Sequence, residues 1–205
     1  GVDFIMVGGS ILSNGSFEKC IQSIKKNTSI PVLIFPGNHL QISKNADAIL
    51  LLSLISGRNP ELLIGKHVIA APQIKTSNLE VLATGYMLIE SGRQTSASYM
   101  SNTNPIPSDK TSIAACTAMA GEQLGLKLIY MDAGSGAMNT VSAEMIKKVS
   151  KNISIPLVIG GGIDSPKKAL LACKSGADII VVGNAIEKDV KLIESIAKAI
   201  HSYKN

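Results

Sequence analysis

Asp132 ends the apolar run LIYMD and is followed at once by AGSGA, so a carboxylate stands where a strand gives way to a flexible turn. Two later runs end in a similar way. PLVIGGGIDSP stops on Gly160, Gly161 and Gly162, and DIIVVGNAI stops on Gly183 and Asn184. Backbone N–H groups at glycine turns and helix N-termini point outward and cradle anions. Two such turns, separated by one helix-like segment, describe a cup for a phosphate. In (β/α)8 barrels that cup commonly lies after the last two strands, and catalytic groups sit at C-terminal strand ends. The pattern points to a phosphorylated ligand held beside a carboxylate.

Each of these residues also has a plain structural use. A glycine meets the need of a tight turn. Asn184 is a candidate cap for the helix that follows it. Asp132 can satisfy N–H groups in its own loop, and Tyr130 can be ordinary core. Gly8, Gly9 and Ser10 end the first strand-like run. Ser10 offers an oxygen to a metal or phosphate, or a cap to the helix starting near Phe17. Arg58 and Arg93 lie in loops after strands, where arginine grips phosphate or forms a surface ion pair. Arg58 is the candidate for a diphosphate. His39, His67 and His201 are isolated and form no triad or metal spacing. Cys20, Cys116 and Cys173 make no C-x-x-C pair and are expected as buried free thiols of a reducing compartment.

The elements that must carry these groups are legible in the apolar pattern. Strand-like runs cover Asp3 to Val7, Pro31 to Phe35, Ala48 to Ser53, Val81 to Leu88, Leu128 to Met131, Pro156 to Ile159 and Asp178 to Val182. Continuous apolar strands of this kind suit a parallel sheet covered on both faces. Helix-like stretches cover Phe17 to Lys26, Ser112 to Leu124, Ala143 to Val149, Lys167 to Lys174 and Asp189 to His201. The first of them is read with Cys20, Ile21 and Ile24 on one face. Ser142 and Ser165 are expected N-caps, Pro166 suits a first helical turn, and Gly176 suits a C-terminal cap. Repeated β–α units imply an α/β fold. A TIM (β/α)8-type barrel is preferred over an open doubly wound sheet, because paired phosphate turns on the last two strands are a barrel habit. Glu90 to Lys110 is polar, has two prolines and shows no helical period, so it is expected as a long functional or interface loop. Ser53 to Leu79 lacks a clean helix, although PELLIGKHVIAA can supply a short one.

Composition narrows the class. The chain has 205 residues, 45% hydrophobic and 17% charged, with a net charge of +5. That size fits one domain with a substantial core. The lysine pairs Lys25-Lys26, Lys147-Lys148 and Lys167-Lys168 fall in helix-like segments and read as solvated faces. With no tryptophan and few other aromatics to stack on bases, a nucleic-acid partner is not expected. No apolar run reaches the length of a membrane span and no signal peptide is visible, so a cytoplasmic protein is expected.

At this point the residues match a family. VDFIMVGGS, ATGYMLIESG with TSASYMSNTNPIP, YMDAGSGA, VIGGGI and VVGNAI together closely resemble the geranylgeranylglyceryl phosphate synthases, a family that includes heptaprenylglyceryl phosphate synthases. The resemblance runs in order over nearly the whole chain. It implies a modified TIM barrel and a phosphoglycerol geranylgeranyltransferase: geranylgeranyl diphosphate joined to the C3 hydroxyl of sn-glycerol 1-phosphate in ether lipid biosynthesis. By motif, Tyr130, Met131, Asp132, Ala133, Gly134, Ser135 and Gly136 would bind glycerol phosphate. Tyr130 and Asp132 would hold its hydroxyls. Gly160, Gly161, Gly162, Gly183 and Asn184 would hold its phosphate. Ser10 matches a Ser/Thr that helps bind Mg²⁺, on the side expected for the donor diphosphate. Many relatives carry Glu where this chain has Asp132. A homo-oligomer with transient membrane-surface contact is also implied.

The family's first strand carries an Asp that ligates Mg²⁺ and a nearby Lys. These residues contain no such strand, so a single domain over 1–205, N-terminally incomplete and lacking its first strand, is expected. The segment alone is expected to be inactive and poorly soluble. The alternatives are the same chemistry with a longer donor such as heptaprenyl diphosphate, a phosphate-binding isomerase or aldolase, or a non-catalytic barrel that binds a phosphometabolite. No strand here ends on the lysine that an aldolase would want.

Overall fold

A computed structural model describes residues 1–11 and 16–203. Seven strands alternate with helices: β1 Ile5–Val7, α1 Phe17–Asn27, β2 Val32–Ile34, β3 Ala48–Leu54, α2 Lys66–Ser77, β4 Glu80–Leu88, α3 Ser96–Ser101, α4 Thr111–Gln123, β5 Leu128–Asp132, α5 Ala143–Ser150, β6 Leu157–Gly160, α6 Pro166–Lys174, β7 Ile179–Val181, α7 Asn184–Lys188 and α8 Leu192–His201. All seven expected strands form, each within a residue or two of its predicted limits. The chain divides into two compact units. One comprises Val2–Ser53 and Pro60–Thr84. The other comprises Gly1, Leu54–Asn59 and Gly85–Asn205.

In the first unit β1, β2 and β3 are parallel neighbours, with Ile5 opposite Val32 and Leu33 opposite Ala48. Its core is Ile21, Val32, Ile34, Ile49 and Leu79, with Phe17 and Ile24 packed alongside. Phe17, Ile21 and Ile24 make the i, i+4, i+7 stripe of α1. Cys20 lies off that stripe and is exposed, as is Cys116 on α4; Cys173 alone is buried. The expectation of three buried thiols is corrected accordingly. Ser53 to Leu79 is more helical than its sequence suggests. A π-helical turn, Glu61–Gly65, runs straight into α2, and Pro72 sits inside that helix.

In the second unit β5, β6 and β7 are parallel neighbours, with Tyr130 opposite Val158 and Asp132 opposite Gly160. Their core includes Met87, Ile129, Met131, Met145, Ile146, Leu157, Ile159 and Ile196. Ser142 and Ser165 cap α5 and α6 by accepting from Met145 and Lys168 N–H groups, and Pro166 opens α6. Gly176 follows the last turn of α6 at φ +106. The stretch from 90 to 110 is not a plain loop. Thr95 and Ser98 close a reciprocal capping box that starts α3, and Ile106 makes a parallel bridge with Ile89. Both features rest on polar or isolated residues, which carry no apolar period.

One device appears in both units. Val32 N–H donates to Asp47 Oδ2 at 2.7 Å, and Asp47 N–H returns to Val32 O at 2.9 Å. Leu157 N–H donates to Asp178 Oδ2 at 2.8 Å, and Asp178 N–H returns to Leu157 O at 2.9 Å. In each case a Ser-Ile-Pro segment enters the strand and its proline carbonyl accepts from the preceding strand, at Ile5 or Ile129. Proline suits a strand's first position, where its missing N–H is not needed by the ladder.

Candidate active site

Alternation along β5 sends Ile129 and Met131 into the apolar core and leaves Tyr130 and Asp132 together on the other face. Asp132 is only 6% exposed. Its Oδ2 accepts from the Tyr86 hydroxyl at 2.5 Å and its Oδ1 from Gly134 N–H at 2.7 Å. Among the described residues no cation forms an ion pair with it. Burial raises the Asp132 carboxyl above its ordinary range, and the two donors offset part of that rise. The same burial, followed by the Asp132 charge, pushes the Tyr86 and Tyr130 phenols well above theirs. A carboxyl that binds its proton more tightly than usual is a better acceptor for a hydroxyl proton.

The glycine turns divide into two kinds. A Cβ on Gly160 would run into the Tyr130 hydroxyl. Gly161, at φ +83, lies against Ala133 N, Gly134 N and Asp132 Oδ1, and a Cβ on Gly162 would press on the Asn139 backbone. These three glycines fit β6 closely to the loop after β5. Gly183 differs: a Cβ there would meet nothing within 4 Å. Its side of the turn is open, and the residue is exposed. Asn184 does not cap α7. Its Oδ1 accepts from the Ser135 hydroxyl at 2.8 Å and from Gly136 N–H at 3.0 Å. It thereby joins the turn after β7 to the loop after β5.

That loop is held from a further direction. Arg93 donates to Gly136 O, Asn139 N–H donates to Ser91 O at 3.1 Å, and Gly134 packs on the Thr95 side chain. Arg93 is therefore a loop tie here. Arg58, the diphosphate candidate, donates to Gly57 O at 2.9 Å and sits exposed. Tyr130, Asp132, Gly134, Ser135, Gly136, Gly160, Gly161, Gly162, Gly183 and Asn184 thus come together in one unit. Met131 on β5 and Ala133 just after it have their side chains in the core, so they reach a ligand only through their backbone.

Ser10 belongs to the other unit. It does not cap α1, whose N-cap is Ser16. The Gly8–Ser10 turn is held by Gln41, which donates to Gly9 O at 2.8 Å and accepts from Gly37 N–H at 3.1 Å. Magnesium keeps several waters and takes few protein oxygens, sharing its remaining positions with substrate phosphates; the Ser10 hydroxyl is an oxygen of the kind it accepts.

Tyr86, Gln41, Ser91 and Asn139 were not singled out from sequence. A tyrosine within an apolar strand reads as core. Its only signal is that a buried hydroxyl needs a partner.

The chain was compared with known families and structures. The PcrB family model matches residues 1–202. A geranylgeranylglyceryl phosphate synthase of Chitinophaga pinensis is 56% identical over 98% of this chain and 80% of its own. A wild-type GGGPS from Thermoplasma volcanium superposes with a TM-score of 0.93 at 35% identity, covering 100% of this chain and 83% of that one. The (S)-3-O-geranylgeranylglyceryl phosphate synthase of Thermoplasma acidophilum, solved with sn-glycerol-1-phosphate, gives 0.91 at 33% identity over 98% and 81%. With these neighbours the α/β fold is a modified TIM barrel. A carboxylate at a strand end, an open glycine turn across from it, and likeness along the whole chain lead to one conclusion: this chain belongs to the PcrB family, the geranylgeranylglyceryl phosphate synthases.

Proposed function

We propose that the chain is a single prenyltransferase domain that joins the geranylgeranyl group of geranylgeranyl diphosphate to the C3 hydroxyl of sn-glycerol 1-phosphate. The observation that carries this reading is the pairing of Asp132 with the open turn at Gly183 and Asn184, in a chain so similar to a synthase solved with that acceptor. N–H groups at Gly161, Gly162, Gly183 and Asn184 take the acceptor's phosphate. Tyr130 and Asp132 take its hydroxyls and orient the C3 oxygen toward C1 of the donor. The C3–O–C1 ether bond forms as the C1–O bond to diphosphate breaks. The proton of the C3 hydroxyl passes to the Asp132 carboxylate and then to solvent. Orientation is the main task, because a glycerol hydroxyl must outcompete water.

Magnesium dependence belongs to the same proposal. Ser10 would give one oxygen ligand to a magnesium ion, which would supply charge neutralisation for a leaving diphosphate. Arg58 is proposed as a weaker diphosphate contact. No described helix is long and apolar enough to cross a membrane. A cytoplasmic enzyme that meets the membrane surface to deliver its product is part of the same proposal. A homo-oligomer is proposed on the family resemblance.

The test uses the full-length gene product with sn-glycerol 1-phosphate, Mg²⁺ and prenyl diphosphates of several lengths, and mass spectrometry of the products. A geranylgeranyl ether formed in preference to others is expected. A heptaprenyl ether as main product moves the assignment to the longer donor. No ether from any donor overturns the reading.

A further inference from the structure

Tyr86 lies on β4, far in sequence from the loop after β5, and its hydroxyl is spent on Asp132. Each oxygen of that carboxylate already has one donor, Tyr86 on Oδ2 and Gly134 on Oδ1. A carboxylate oxygen has two lone pairs, so one on each remains for a ligand, in directions set by the two donors.

Tyr86 is itself fixed. Its carbonyl accepts from Ile55 N–H at 3.0 Å. Its ring meets Tyr130 edge to face, 5.5 Å between centroids and 88° between planes. Gly85 lets this strand lie against Ile129, Ile55 and Leu126, since a Cβ there would come within 3.0 Å of each. Gly160 in turn leaves room for the Tyr130 hydroxyl. Gly160, Tyr130, Tyr86 and Asp132 are thus set one against the next.

We propose that Tyr86 is a positioning residue of the acceptor site: its hydroxyl orients the Asp132 carboxylate toward the glycerol hydroxyl and holds it ionised there. The proposal rests on the acceptor chemistry given above and adds a residue from β4 to the strand that carries the acid. The titratable groups acting on Asp132 are Tyr86 from β4 and Tyr130 from its own strand. The loop after β5 and the turn after β6 face it with Gly134 N–H and the Gly161 backbone.

The test is Tyr86→Phe in the full-length enzyme, assayed for ether formation across pH. Loss of a hydrogen bond to a charged group should lower kcat/KM by about ten- to a hundredfold. It should also raise the acidic limb of the profile by about one pH unit, because an unassisted carboxylate holds its proton to higher pH. Tyr86→Phe in the D132N background should then cost little further. 3-Fluorotyrosine at position 86 keeps the ring and donates more strongly, so it should move the limb down; this variant decides the matter if Tyr86→Phe does not fold. ¹³C NMR of the Asp132 carboxyl reads the same shifts without turnover. An unmoved limb and carboxyl titration, or an equal cost of Tyr86→Phe with and without Asp132, overturns the proposal. A wild-type enzyme that makes no ether overturns the prenyltransfer reading instead, and the carboxyl titration still tests Tyr86.

Discussion

The Asn184 side chain accepts from the Ser135 hydroxyl at 2.8 Å, across 49 positions of sequence. With the Gly136 N–H on the same oxygen, Asn184 ties the turn proposed to hold the acceptor's phosphate to the loop that follows Asp132. Asn184→Ala should raise KM for sn-glycerol 1-phosphate about tenfold and cost about 1 kcal/mol of stability. Asn184→Asp keeps both acceptor contacts but sets a negative charge beside the phosphate. Its KM should therefore be higher than that of the alanine variant. A KM for Asn184→Asp near wild type would sink the phosphate assignment of this turn.

Gly160 and Gly183 separate packing from ligand approach. Gly160→Ala collides with Tyr130 and should cost about 1–3 kcal/mol, the usual range for overpacking. Gly183→Ala meets no protein atom within 4 Å, so its stability should change by less than about 1 kcal/mol. Its KM for the acceptor should rise nonetheless. Thermal melts and initial rates on the two variants measure both quantities.

Burial raises the Asp132 carboxyl, so its charge costs stability in the folded state. That cost is full above the raised value and fades as pH falls toward the ordinary carboxylate range. Asp132→Asn removes it and still offers an acceptor to Gly134 N–H and a donor to the Tyr86 oxygen. The expected result is a melting temperature at or above wild type, with kcat lower by about a hundredfold or more. A clear loss of stability in Asp132→Asn would show that the carboxylate serves the fold.

Much of this arrangement is legible in the sequence, and the misses have physical causes. Apolar β-branched runs located every strand, since strands buried on both faces must be apolar throughout. Ser142, Ser165 and Pro166 are local signals and gave the helix starts. Asp132 was legible because a carboxylate at the end of LIYM is out of place in a core. Tyr86 was not, because its partner lies 46 positions away and nothing local distinguishes it from a packing tyrosine. The three glycines after Ile159 suggested a ligand; that they also make room for Tyr130, Gly134 and Asn139 was hidden, because those neighbours lie more than 20 positions away. Helix α3 stayed hidden because Thr95 and Ser98, not an apolar face, define it.

Asp47 makes a prediction away from the site. Its carboxyl is held below the usual range, first by the hydrogen bond from Lys25 and then by that from Val32 N–H. The stability it gives is present above the ordinary carboxylate range and is lost as pH falls through the lowered value. Asp47→Ala should cost about 1–2 kcal/mol, mainly by leaving Val32 N–H without its acceptor. Lys25→Met, which removes only a half-exposed ion pair, should cost less than about 1 kcal/mol. Denaturant melts at neutral pH and at pH 3 should show the Asp47→Ala deficit shrinking in acid.

Strands of three or four residues, such as β1, β2, β6 and β7, contain few ladder bonds with which to count their own alignment. A shift by one residue would turn every side chain to the opposite face. The Asp47 and Asp178 clasps sit where β2 and β6 begin, and each fits only one alignment. Spelling is therefore checked at the entrance of these strands, while reading is done at their exits. Mutation can rewrite the exit loops, and with them the ligand, without unsettling how the strands line up.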